Sequence, residues 1–276
     1  MDKIAVISDI HGNLEALKSV LSDIKKKKIK KIICLGDIIG KGTHPNECVS
    51  LIKNHCFIVI QGNTDKFFTD NHDMETISEI DRKRLVWNRS ILTDESVRYL
   101  HSLKYSKEFY MSGSLVRLFH ASPYMINEVV LNLDTVDKKS KMFEGSTNTV
   151  SLKTADIVLY GHIHHQYLDK LYNKTLINVG SVGNAFDVIR KSDFDSDKCE
   201  TTNAHYLIIE GEFNNQKRSS ISFSFVRVPY NIEKELIDLE SNLEPEVYEY
   251  EIKEGMYRDM EKVEKGFIDR GVIFRK

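Results

Sequence analysis

Aspartate, asparagine, histidine and glycine recur in this chain where short apolar runs end. The groups are Asp9-Ile10-His11, Gly36-Asp37, Gly62-Asn63-Thr64-Asp65, a lone His120, and Gly161-His162-Ile163-His164. Carboxylate and amide oxygens together with neutral imidazoles are the donor set of borderline divalent cations. Histidines two residues apart behind a glycine suit a turn that aims imidazoles at a common centre while the backbone comes close. A lone histidine is more often a packed or surface residue. Asp9, His11, Asp37, Asn63, His120, His162 and His164 together make convergence on cations the chemistry to expect.

The elements that must position these residues can be read from the same chain. Runs rich in β-branched residues occupy 3–8, 31–35, 56–61, 115–119, 156–160 and 175–179, the last leading into Gly180-Ser181. Helical spacing at 14–28 and 45–54 separates the first three, with Asn13 placed to cap one helix and Pro45 to begin the next. Strands alternating with helices predict βαβ units and a mostly parallel sheet, whose ligands gather beyond the carboxyl ends of the strands. Residues 66–110 read as a mainly helical insertion, with Thr93 capping one of its helices. Strand patterns return at Ala204, with a hairpin expected at 213–218. The expected organisation is one domain over 1–230 with a helical, charged extension of the same domain over 231–276.

The 276 residues carry 39 basic and 41 acidic side chains, a net charge of −2, so no global field recruits nucleic acid or acidic lipid. No apolar run approaches the roughly 18 residues of a membrane span, and no secretory leader pattern is present at the start. Cys34, Cys48, Cys56 and Cys199 show no paired spacing, which fits free thiols and a cytoplasmic location. Lysines 25–28 lie at a helix C-terminus, where the helix dipole favours cations, and read as a solvated face.

In order and composition the motifs resemble the calcineurin-like metallophosphoesterase family, whose signature runs D-x-H, G-D-x-x, G-N-H-D/E, a lone histidine and G-H-x-H. The resemblance spans about residues 3–184. It implies an α/β fold, a four-layer αββα sandwich, with two metals at its top. Asp9, His11 and His164 would hold the first and Asn63, His120 and His162 the second, with Asp37 bridging. Asp37, Asn63 and His120 would be the catalytic members of this set. Mixed nitrogen and oxygen ligation suits Mn, Fe, Zn or Ni. Two such ions about 3.5–4 Å apart lower the pKa of a bridging water from 15.7 toward about 7. The implied reaction is in-line attack of a bridging hydroxide on phosphorus.

The chain departs from the family at Thr64, where a histidine is common, which favours activated leaving groups. Lys41 stands where the protein-phosphatase branch and its dinucleoside-tetraphosphatase relatives carry arginine. Lys41, Asn13, Thr64 and Tyr124 are the candidate substrate contacts, Tyr124 as a stacking surface for a base; Asn13 as a helix cap and Tyr124 as a surface residue are the plainer readings. Asp65 would orient a ligating histidine or cap a helix. His44 and His165 fall in rim loops, and His55, His72, His101 and His205 read as surface or packing residues. The small bacterial branch this chain resembles implies a nucleotide or dinucleoside polyphosphate substrate, with asymmetric cleavage of diadenosine tetraphosphate to ATP and AMP. The alternatives are an exonuclease of the same superfamily, disfavoured by near-neutral charge, and a scaffold that has lost its metals, disfavoured by the complete ligand set.

Overall fold

The computed structural model describes residues 1–72, 74, 79–185 and 203–241. Strand β1 (Asp2–Ile7) buries both faces, with Ile4 and Val6 in one apolar cluster and Ala5 and Ile7 in another. A run that is apolar at every position demands such two-sided burial, so β1 lies inside a sheet. Helix α1 (Leu14–Lys26) carries the chain to β2 (Lys31–Cys34), and α2 (Pro45–His55) carries it to β3 (Ile58–Val59), both strands pairing parallel. Asn13 caps α1 by accepting from the Ala16 N–H at 2.9 Å, a contact type worth about 1 kcal/mol. Helices α3 (Asn63–Thr69), α4 (Glu79–Ile91) and α5 (Asp94–Ser102) follow, α5 capped by Thr93.

The second sheet is built from β4 (Ser106–Met111), β5 (Ser114–Phe119), β6 (Ile157–Tyr160), β7 (Tyr167–Leu171) and β8 (Lys174–Asn178). Between β5 and β6 lie α6 (Val136–Ser140) and a single 3-10 turn at Lys141–Phe143. The chain then returns to the first sheet through β9 (Ala204–Gly211) and β10 (Ser222–Val228), and ends its described part in α7 (Ile232–Ser241). The two strand orders are β10-β9-β1-β2-β3 and β4-β5-β6-β8-β7. Alternate residues of the inner strands fill the space between the sheets, among them Ile4, Val6, Ile33, Leu118, Leu159, Ile177 and Leu207. Their neighbours face outward, Ile7 and Ala5 with Leu17, Val20 and Ile52 of the helices, and Val158 and Tyr160 with Met142 and Phe143. The result is the expected four-layer αββα sandwich.

Several elements differ from expectation. β4 begins within 66–110, the segment read as helical; its sequence SKEFYM hides an edge strand because two of its positions are charged, Lys107 facing solvent and Glu108 paired with the buried Arg117. β7 pairs with β8 through Tyr172 and Asn173, both at positive φ (49° and 64°), a two-residue hairpin turn with a tyrosine where small residues are usual. The strand expected over 56–61 is a ladder of two residues, extended by an isolated bridge from Ile60 to Lys104. The expected hairpin does join β9 to β10 as an antiparallel pair, but its loop is long and crosses to the second sheet, where the Ser112 N–H donates to the Glu212 carbonyl at 3.0 Å and the Asn214 N–H to that of Tyr110 at 2.8 Å. The extension is helical through α7, and 242–276 lie outside the described residues, as does Cys199. Cys34, Cys48 and Cys56 are free thiols. Among the described residues no helix is long and apolar enough to cross a membrane.

Candidate metal centre

The parallel pairing of β1 with β2 and β3, and of β5 with β6 and β8, sends all six carboxyl ends to one rim. There the ligand atoms of Asp9, His11 and His164 lie within 4.8 Å of one another, as do those of Asp37, His120 and His162. Asn63, the first residue of α3, joins the second group with its Oδ1 2.9 Å from His120 Nε2. The groups adjoin: His11 Nε2 is 3.8 Å from Asp37 Oδ2, and His120 Nε2 is 3.4 Å from Asp37 Oδ1 and 3.9 Å from Asp9 Oδ1. Asp37 therefore stands between the clusters, at the position a bridging ligand needs.

The turns that aim these side chains are unusual. Asp9 (φ 53°), His11 (53°), Asp37 (51°), His162 (68°) and His164 (59°) all occupy the left-handed region. For residues with a side chain that conformation costs roughly 1–2 kcal/mol each, and such strain collects at functional sites. The loops after β1 and β2 hold each other in it, the Asp9, His11 and Gly12 N–H groups donating to the carbonyls of Gly36, Asp37 and Ile38 at 2.9–3.0 Å. Two glycines permit the closest approaches. A Cβ at Gly161 would lie 2.4 Å from Asp9 Oδ2, and one at Gly62 would lie 2.1 Å from Asp37 Oδ1.

The donor chemistry fits a cation in each cluster. Three imidazoles place Nδ1 against a backbone carbonyl: His11 on Ile39 at 3.3 Å, His164 on Asn184 at 2.9 Å and His120 on Leu35 at 2.8 Å. A carbonyl only accepts, so each Nδ1 carries the hydrogen and each Nε2 of the neutral ring presents a lone pair. Yet His11 Nε2 and His164 Nε2 are 3.0 Å apart, and His120 Nε2 faces the carbonyl oxygen of Asn63. Lone pairs set against lone pairs repel unless a positive centre lies among them.

The titration behaviour agrees with that frustration. Burial, then the charge of neighbouring imidazoles, pushes His11 well below the usual range and His162 down to about 4, keeping both neutral. Burial opposes ionisation of the aspartates as well, but the facing histidines win, lowering Asp9 to about 2 and Asp37 further. Burial also lowers His120, and Asp37 and Asp9 reverse this and raise it to about 9. Two dications against two carboxylates would leave a positive site at the rim, suited to a phosphate.

A cavity of about 400 Å³ opens on this cluster, walled by His11, Asp37, Lys41, Asn63, Thr64, His162 and His164, and beyond them by Lys66, Phe67, Asp70, His72, Arg84, Ile126 and Asn127. Lys41 is on the wall and nearly buried, its Nζ donating to Asn184 Oδ1. Thr64 is there too, but its hydroxyl donates to the Ile39 carbonyl at 2.8 Å, so its hydrogen is engaged away from any phosphate. Asn13 does not line the cavity: its Oδ1 caps α1 and its Nδ2 donates to the Gly183 carbonyl at 3.1 Å, which makes it a structural residue. Tyr124 lies outside the wall, 42% exposed, with its hydroxyl on Glu144.

Asp65 orients no histidine. Its carboxylate accepts from the N–H groups of Ile38 (2.8 Å), Ile39 (3.3 Å) and Gly62 (3.0 Å), tying the Asp37 loop to the start of α3. His44 faces Asp238 of α7, His165 stacks near Tyr167, and His72, read as surface or packing, reaches the cavity wall. The sequence reading missed the buttress after β8. There Ser181 Oγ donates to the Asp9 carbonyl at 2.7 Å, the Gly183 N–H donates to the same carbonyl at 2.9 Å, and the Asn184 carbonyl orients His164. Its signal was the glycine-rich stretch Gly180-Ser181-Val182-Gly183-Asn184, seen at a strand end but given no role.

Comparison with known proteins agrees with this geometry. A protein of Methanocaldococcus jannaschii described as uncharacterised is 33% identical over 250 residues, 88% of this chain and 94% of that protein. The crystal structure of a hypothetical protein from Pyrococcus horikoshii matches with a TM-score of 0.75 at 19% identity, over 93% of this chain and 100% of that one. A metallophosphoesterase from Sphaerobacter thermophilus matches with a TM-score of 0.67 at 23% identity, over 92% and 99% of the two chains. Both structures share the fold. The model of the calcineurin-like phosphoesterase superfamily domain matches residues 2–192, and with its buried pair of His/Asp clusters the chain belongs to that superfamily.

Proposed function

We propose that this protein hydrolyses phosphodiester or phosphoanhydride bonds of nucleotides with two transition-metal ions, Mn, Fe, Zn or Ni, and that cleavage of diadenosine tetraphosphate to ATP and AMP is the specific case to test first. The observation that carries the reading is the 3.0 Å approach of two buried imidazole nitrogens, His11 Nε2 and His164 Nε2, beside a second cluster of His and Asp donors. A bound cation pair supplies Lewis acidity and a water ionised near neutral pH. The chain's own residues do the rest. Asp9 and Asp37 stay ionised to hold the cations, while Asn63 and the neutral rings ligate without cancelling charge. Lys41 adds a fixed positive charge on the cavity wall that attracts the phosphate. Thr64, with its hydrogen on Ile39, offers no acid to a poor leaving group, which supports activated ones such as nucleoside phosphates and aryl oxides.

The test is turnover of bis(p-nitrophenyl) phosphate and of diadenosine tetraphosphate by Mn²⁺-loaded protein, with and without chelator, products resolved by chromatography. Chelator-sensitive release of ATP and AMP is the expected result. Turnover confined to oligonucleotides would favour the nuclease reading, and failure to bind metal or turn over any ester would favour a scaffold.

A further inference from the structure

Glu235 has no part in the chemistry above. It lies on α7, fully buried, and among the described residues neither oxygen of its carboxyl has a hydrogen-bond partner. The cations packed around it are engaged elsewhere: Lys18 of α1 and Lys234 of α7 both pair with Glu15. The remaining neighbours do not offset a negative charge. Asp238 of α7 carries its own, directed at His44 with Oδ2 3.8 Å from Nε2, and on α2 the fully buried Cys48 faces Glu235, with Glu47 beside it. Burial, then the charges of Asp238 and Glu15, raises the Glu235 carboxyl from its ordinary 4.5 to about 8. The Glu15 N–H, in the first turn of α1, and the Lys234 ammonium oppose this without reversing it. A carboxyl buried with no partner of its own avoids the cost of a buried charge by keeping its proton.

What α7 covers gives this carboxyl a consequence. The helix packs on α1, and its Asp238 faces the loop at 41–44. In that loop the His44 N–H donates to the Gly12 carbonyl and the Lys41 N–H to the His11 carbonyl, both at 3.3 Å. The segment that α7 touches therefore also grips the backbone of a metal ligand. We propose that α7 is a pH-sensitive clasp, which docks on α1 and on the 41–44 loop with Glu235 protonated and lets go as the pH rises. Docking takes up a proton on Glu235, and undocking into water releases it. Docking is accordingly strongest in acid, weakens by up to about tenfold for each pH unit between about 4.5 and about 8, and levels off above that window. The clasp depends on no particular substrate.

Amide hydrogen exchange of the full chain under saturating Mn²⁺, read by mass spectrometry from about pH 6 to about pH 8.5, tests this without turnover. Comparing the wild type with Glu235→Gln at equal pH cancels the chemical exchange rate. The ratio of their α7 exchange rates should rise about tenfold per pH unit and flatten above about pH 8. Exchange of the 41–44 segment should follow α7, and that of β1 should not. Asp238→Asn removes the half-exposed pair with His44 and should keep the wild-type slope, which assigns the titration to Glu235. If Glu235→Gln does not fold, the wild-type α7 rates divided by those of an unfolded peptide carry the same slope. A flat ratio across this range overturns the clasp, as does a slope lost in Asp238→Asn or a 41–44 segment that stays protected while α7 exchanges.

Discussion

Gly161→Ala tests how the first metal site is seated. Gly161 has an ordinary backbone φ, so alanine can adopt its conformation, and only the new methyl matters. That methyl would lie 2.4 Å from Asp9 Oδ2 and 2.0 Å from Ser8 Oγ. The serine can rotate. The aspartate cannot easily, because the His162 N–H donates to both its oxygens at 3.0 and 3.2 Å. To restore an ordinary contact the carboxylate must retreat by about 0.6–1 Å, whereas ligand distances in a metal site tolerate about 0.2 Å. Overpacking of this kind costs about 1–3 kcal/mol of stability, and disturbing a ligand's support costs about 10–100-fold in metal affinity. Calorimetric titration with Mn²⁺ should show one of two sites weakened by that factor, with turnover falling in parallel. Gly145→Ala is the control: its methyl would meet Leu152 Cα at 2.4 Å, in a loop whose neighbours are not ligands, and it should lower stability without changing metal affinity. If Gly161→Ala binds two equivalents of Mn²⁺ with wild-type affinity, the close seating of Asp9 has no functional consequence and the reasoning fails.

Other outcomes follow from the same centre. Asp37→Ala should abolish turnover by more than the about 100-fold seen when only a supporting contact is lost, with a far-UV spectrum like wild type; retained turnover would remove Asp37 from between the metals. Because a metal needs the neutral ring of His120, raised to about 9 in the cation-free protein, affinity for Mn²⁺ should weaken about tenfold for each pH unit below that value, approaching pH 7; pH-independent binding across that window contradicts it. Asp65→Asn replaces one acceptor oxygen by a donor facing backbone N–H groups, and should cost about 1–3 kcal/mol in chemical denaturation while loosening the Asp37 loop; an unchanged midpoint would refute the tie. Thr64→His should extend the substrate range toward phosphomonoesters with poorer leaving groups, scored as the ratio of monoester to diester turnover, and an unaltered ratio would count against the departure at this position.

The positions of the seven ligand candidates were legible because strand ends announce themselves: an apolar run, then a polar side chain, with a glycine between them before Asp37, Asn63 and His162. Parallel pairing turned that linear order into a shared rim. What was hidden has physical reasons. The left-handed turns at Asp9, His11, Asp37, His162 and His164 depend on backbone bonds between loops far apart in the chain, as do the three N–H groups that occupy Asp65. Asn13 was open to two readings, helix cap or phosphate contact, and only the Gly183 carbonyl beside its Nδ2 completes the structural one; Thr64 stood out as a departure from the family's histidine, and its bond to Ile39 could not be seen from the sequence. β4 was masked by edge-strand charges. Lys66 and Arg84 belong to helices whose own periodicity says nothing about the cavity they line.

The five ligands in left-handed backbone place this fold's interest against its function's. Substituting glycine at any of them would relax a turn at the cost of a metal donor. A lineage released from selection for catalysis would therefore drift downhill, gaining thermal tolerance as it shed its chemistry.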